Sequence, residues 1–137
     1  MAISVATVLG AVLILVGGAA AADHELWVRY LSDAVDVIPG DGYCIASGIG
    51  CTLRAAIQEA NALGGDTLIH LDPGTYRLQL KGVDNVAATG DLDILGNVTI
   101  RCEGPEACIV EAGASASSGI DRVFDVGAGA SFGLIVQ

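Results

Sequence analysis

"CTLRAAIQEANALGGDTLIHLDPGTYRL", residues 51–78, runs from a cysteine through a helical pattern and a double glycine into two strand-like segments. Leu53, Ala56, Ile57, Ala60 and Leu63 fall at the offsets of one helical face, and Arg54, Gln58, Glu59 and Asn61 fall off it. This spacing predicts an amphipathic helix of about three turns. Thr52 is placed to cap its first turn and Gly64 to take the left-handed position that ends it. Ala55 stands where a reciprocal capping box would put Glu or Gln, so half of that box is missing. A helix this short is marginal alone in water. It must lay Leu53, Ile57 and Leu63 on an apolar surface, worth roughly 5 kcal/mol at most, and so reads as an accessory to another core.

That core starts at once. "DTLIHL" puts Thr67, Ile69 and Leu71 on one side, "DPGT" turns the chain, and "YRLQLK" sets Tyr76, Leu78 and Leu80 opposite Arg77, Gln79 and Lys81. "LDIL", "VTIR", "CIVE", "RVFDV" and "SFGLIVQ" follow, each a short apolar run bounded by turn residues. The reading is mainly β, and it suits either a sandwich or the coils of a parallel solenoid. "LDILGNVTI" looks locally like a hairpin through Gly96 and Asn97, which favours antiparallel pairing. Two features favour the solenoid: a helix ahead of the first strand is what the end of a stack needs, and "GASFGLIVQ" stops where a further coil is expected. The chain therefore reads as a fragment of something longer.

The 137 residues allow one domain at most. Sixteen acidic against six basic side chains give a net charge of -10, which argues against nucleic acid as a partner. Aromatics are scarce and Gly numbers 19, so a core must come from Val, Ile, Leu and Ala on short segments between turns. Residues 2–22 carry no charge and end in an A-x-A arrangement at Ala20 and Ala22. We read residues 1–22 as an export signal cleaved after Ala22. An uncleaved membrane anchor or a misplaced start are the rivals, because no Lys or Arg follows Met1. Residues 23–43 form an acidic lead-in, and residues 44–137 hold the helix and the strands.

Cys44 and Cys51 enclose "IASGIG", and Cys102 and Cys108 enclose "EGPEA". Two local disulfides are the simplest pairing in an exported chain, although four cysteines allow three connectivities. A zinc site is the sharper alternative, but the gaps are wide and His24 and His70 show no ligand spacing.

"DGYCIASGIGCTLRAAIQEAN", then "GGDTLIHLDPGTYRL", "TGDLDILGNVTI" and "DRVFDV", resemble in order the amino-terminal region of CSLREA-domain proteins. The resemblance spans Asp33 to about Gln137, with Thr52 where the signature has Ser and Ala56 where it has the final Ala. Ala55 replaces its Glu. It implies an exported bacterial surface protein with a right-handed parallel β-helix, related in fold to pectin lyases and polymorphic outer-membrane proteins. Under that likeness the helix plugs the first coil and Cys44–Cys51 anchors the plug. The family supplies no defined chemistry, and fold alone does not imply function.

Few residues suggest chemistry. Asp91 and Asp93 lie two apart on one strand face, where paired carboxylates do acid and base work or hold calcium; a solvated face is the plainer reading. Asp33, Asp36 and Asp41 are weaker calcium candidates, since "DAVDVIPGD" lacks the pattern of an EF-hand. His70 reads as an outward strand residue, Arg54 and Arg122 as surface or turn contacts, and Asn97-Val98-Thr99 as a chance sequon. No nucleophile elbow, phosphate loop or oriented His with Ser or Cys is visible. The expected role is a non-catalytic capping segment of an exported or cell-surface β-helix protein, structural, adhesive or glycan-contacting, with further coils of the same chain, an extracellular glycan or a surface protein as partner and no cofactor. The alternative is the leading part of a pectin-lyase-like polysaccharide lyase or hydrolase with its active site beyond Gln137.

Overall fold

The computed structural model describes residues 21–135 except 116, 118 and 121; the predicted leader lies almost wholly outside the described residues. Among these residues the fold is mainly β with one short helix. In chain order come β1 (His24–Val28), α1 (Leu53–Leu63), β2 (Asp66–Leu71), β3 (Gly74–Arg77), β4 (Leu92–Ile94), β5 (Asn97–Cys102), β6 (Cys108–Glu111), β7 (Phe124–Val126) and β8 (Ser131–Ile135).

All the pairs among these eight strands are parallel. One sheet has the order β1-β2-β5-β8, a second pairs β3 with β6, and a third pairs β4 with β7. The chain thus visits the three sheets in the order β2, β3, β4, repeats it with β5, β6, β7, and returns to the first sheet with β8. Parallel neighbours need a long crossover, and here each crossover is the walk through the other two sheets. Asp66 lies opposite Asn97 and Asn97 opposite Ser131, so one circuit takes just over thirty residues.

This corrects the hairpin expected at Gly96-Asn97. β4 and β5 belong to different sheets, and the amide of Leu95, which a hairpin would pair across the turn, donates to Asn61 Oδ1 at 2.9 Å. The run "YRLQLK" is shortened too. Its strand ends at Arg77 because the amides of Gln79 and Leu80 are drawn to Asp33 Oδ2 at 2.6 and 2.8 Å.

The core lies between the sheets and α1. Leu26, Ile69 and Ile100 stack in register and are buried, as are Val28, Leu71, Leu92, Ile94 and Val98. Leu134 continues that first ladder and is 62% exposed, so nothing among the described residues covers the stack on the β8 side.

The helix forms as its pattern predicts. Thr52 Oγ1 accepts from the Ala55 amide at 3.2 Å, and Gly64 adopts φ +72° while its amide donates to Ala60 O at 3.2 Å. Leu53 and Ile57 are buried and Leu63 is half-buried. Cys44 is bonded to Cys51 and Cys102 to Cys108. The first bridge ties the lead-in to the start of α1, and the second closes the corner between β5 and β6. Cys51→Ser is expected to lower stability by about 2.5 kcal/mol in the chain-entropy account. Urea unfolding without reductant measures this; an unchanged midpoint would contradict it.

Candidate functional site

The most developed polar constellation surrounds α1, and it lies on the helical face that periodicity assigned to solvent. Arg54, Gln58 and Glu59 are all buried, Arg54 and Glu59 completely. Arg54, expected to make surface or turn contacts, does bind loop carbonyls but is fully buried, the centre of a clamp. Its Nε and Nη2 donate to the two carboxylate oxygens of Asp33 at 2.5 and 3.1 Å. Nη1 donates to the carbonyls of Ala87 and Asp91 at 3.0 and 3.3 Å, and Nη2 also reaches Gly90 O at 2.7 Å. A planar guanidinium with its donors filled in this way ties three distant segments together: the lead-in, the helix and the loop before β4.

Glu59 makes a second clamp, accepting from the amides of Gly40 and Gly42. Asp36 Oδ1 accepts from Val37 N and Ile45 N, each at 2.9 Å, and the Asp36 amide donates to Gln58 Oε1 at 2.8 Å. Asp36 Oδ2 is buried with no hydrogen-bond donor. Burial pushes the Asp36 carboxyl above the usual carboxylate range and Glu59 adds to this, against the opposing amides of Ile45 and Val37. The three acids proposed from sequence as calcium ligands are therefore separated. Asp33 serves Arg54 and two amides, Asp36 serves the lead-in backbone, and Asp41 accepts from its own neighbour Tyr43 N.

A raised carboxyl in the folded state binds its proton more tightly than in the unfolded chain. Its stabilising contribution is complete below the unfolded value of about 3.9 and is lost as pH rises through the raised folded value. Asp36→Asn keeps an oxygen for the two amides and supplies a donor toward Glu59. We expect it to stabilise the protein at pH 7 by about 1 kcal/mol and to flatten the decline in stability above pH 4. Urea melts across pH 4–8 for both proteins test this; identical slopes would contradict it.

The pair Asp91 and Asp93 gains a third member that no local pattern reveals. Asp125 on β7 is in register with Asp93 on β4, and the three carboxylates converge within 4.8 Å. Among the described residues this is the one group of three acids or more able to share a cation. Arg122 lies against it, 3.4 Å from Asp91 Oδ2 and 3.3 Å from Asp125 Oδ2, and offsets part of its charge. Asp93 is buried and accepts from Ala87 N at 2.8 Å. Burial raises its carboxyl above the usual range; the Ala87 amide opposes this, and the charges of Asp91, Asp84 and Asp125 reinforce it. Ala87, fully buried at φ +58°, is held between Asp93 and Arg54, so the triad and the helix clamp share one loop.

His70 sits on the outer face of the first sheet, yet only 4% of it is exposed. Trp27, its register partner on β1, stacks flat on it at 3.9 Å, and Glu103 Oε1 lies 2.6 Å from Nδ1. His70 points outward as alternation predicts, and it is covered because the stacking ring comes from a strand 43 positions earlier. Beside this stack an open cleft of about 310 Å³ is lined by Asp66, Leu68, Asn97, Thr99, Arg101 and Ser131. Asn97 Nδ2 donates to Asp66 Oδ1 there at 2.9 Å. Among the described residues no helix is long and apolar enough to cross a membrane. Set against known proteins, the chain matches no family model, no curated protein and no solved structure.

Proposed function

We propose that this chain is the non-catalytic amino-terminal capping segment of an exported, right-handed parallel β-helix of the CSLREA type, with a structural or adhesive role at the cell surface. The observation that carries this reading is the difference between the two ends of the stack. On the early side α1 packs against β1, β2, β4 and β5 and is locked by Arg54 and Glu59. On the late side β6, β7 and β8 are the outer strands of their sheets, and Leu134 and Ile135 are exposed. A covered end followed by an uncovered one is the arrangement of a terminal cap with more coils to come. The repeated passage through three sheets supports the same architecture. The two disulfides suit an oxidising, extracellular compartment, and the uncharged leader sequence suits export. The polar outer cleft beside Trp27 and His70 offers a surface for glycan contact.

Residues 23–137, without the leader, are expected to self-associate through the open strand edges. Leu134→Lys with Ile135→Lys should restore a monomer with unchanged circular dichroism. Sedimentation equilibrium tests this, and a native-sequence chain that stays monomeric near 1 mM would count against an open end. New reducing or unsaturated ends after incubation with neutral and acidic polysaccharides would move the protein to the lyase or hydrolase reading.

A further inference from the structure

His70 faces a carboxylate at each ring nitrogen. Nδ1 lies 2.6 Å from Glu103 Oε1, and Nε2 lies 3.5 Å from Glu25 Oε2. A neutral imidazole has one donor and one bare lone pair, and a carboxylate only accepts. In either neutral tautomer, therefore, one carboxylate faces a lone pair. The short contact to Glu103 places the proton on Nδ1, which leaves Nε2 buried with no hydrogen-bond partner among the described residues. The imidazolium alone has a donor for both carboxylates. Trp27 stacks on the ring within 3° of parallel, and an indole face attracts a cation.

The neighbouring strands bring four charged side chains toward this ring: Glu25 and Arg29 from β1 and its continuation, Arg101 and Glu103 from β5 and its continuation. Arg101 is the register partner of His70, and Arg29 Cζ lies 5.7 Å from the centroid of Trp27. These two guanidiniums repel a charged ring, while the two carboxylates reach its nitrogens directly. The anchors belong to different rungs. β1 is an outer strand, paired with β2 alone among the described strands. Glu103 is fixed, since its amide donates to Leu71 O at 2.9 Å and its neighbour Cys102 is bonded to Cys108. We propose that His70 is a pH-sensitive staple: protonated, it ties Glu25 on β1 to Glu103 beside β5 and fastens the outermost rung to the stack, and neutral, it lets Glu25 go. Histidine ordinarily changes charge between pH 5 and 8, so the hold is present in mild acid and fades as pH rises across that range. A divalent metal between Nε2 and Glu25 fits less well, because two protein ligands fall short of the three or four of a zinc site.

The metal-free full chain is compared at pH 5 and pH 8, the limits of the histidine range. Imidazole nitrogen-15 shifts should show His70 protonated at both nitrogens in acid and at Nδ1 alone in base. Emission from Trp27, the only tryptophan, should fall several-fold on acidification, since an imidazolium stacked on an indole quenches it. His70→Gln should remove that change. Amide protection of residues 24–28, corrected for intrinsic exchange, should be several-fold greater in acid in the native chain. In Glu25→Gln it should not be, because the side-chain amide can face the ring in either state. Glu25 is 57% exposed, so this variant keeps the fold, and Asp36 titrates in both proteins and cancels from their difference. A ring whose charge does not change between the two pH values, an equal pH response of β1 in native and Glu25→Gln chains, or β1 protection raised at pH 8 by added zinc and not by protons would overturn the proposal.

Discussion

Arg54→Ala is expected to destabilise the protein by about 3–5 kcal/mol, the range for breaking one partner out of a buried ion pair. The loss is more than missing hydrogen bonds. Asp33 would be left with its carboxylate buried and its cation gone, and the carbonyls of Ala87, Asp91 and Gly90 would lose their donor together. Small domains have only about 5–15 kcal/mol in total, so much of the population would unfold under mild denaturant. Arg54→Lys should recover little, since one ammonium cannot hold Asp33 and the loop carbonyls together as the guanidinium fork does. Arg54→Met with Asp33→Leu should recover more than Arg54→Met alone, because the pair then leaves no buried charge. Denaturant midpoints for the four variants test this, and a shift below about 1 kcal/mol for Arg54→Ala would show that the clamp contributes little.

Ile57→Ala is expected to cost about 2–5 kcal/mol, the range for emptying a fully enclosed site in a core. Ile57 has no solvent exposure and belongs to the same buried cluster as Leu92 and Ile94. The cavity would open between the helix and β4, so the amides of Leu92–Ile94 should exchange faster while β8 is unaffected. A stability change confined to α1, with β4 protection intact, would mean that the helix sits on the stack without supporting it. Paired with the Arg54 series, this separates the apolar hold on the helix from the polar one.

The helix, its caps and most of the strands were legible because each rests on local rules. Thr52 and Gly64 end the helix through their own backbone chemistry, and alternation places Thr67, Ile69 and Leu71 inward whatever lies beyond. What was hidden depends on chain returning from far away. Periodicity treats Arg54, Gln58 and Glu59 as a solvated face, but the lead-in folds over that face and supplies Asp33, Asp36 and the Gly40 and Gly42 amides as partners. Asp125 joins Asp91 and Asp93 only because β7 lies beside β4 one circuit later. Gly96 looked like a hairpin turn because a corner between sheets uses the same residues; the competing partner, Asn61, sits on the helix.

The central claim is that a helical lid covers one end of a stack of parallel strands, and backbone NMR tests it most directly. Interstrand contacts should link Leu26 to Ile69, Ile69 to Ile100 and Ile100 to Leu134 in a single parallel register, with the side chain of Ile57 touching Leu92 or Ile94. Strong Cα–H to Cα–H contacts between Leu92–Ile94 and Asn97–Cys102, the mark of an antiparallel pair, would contradict it.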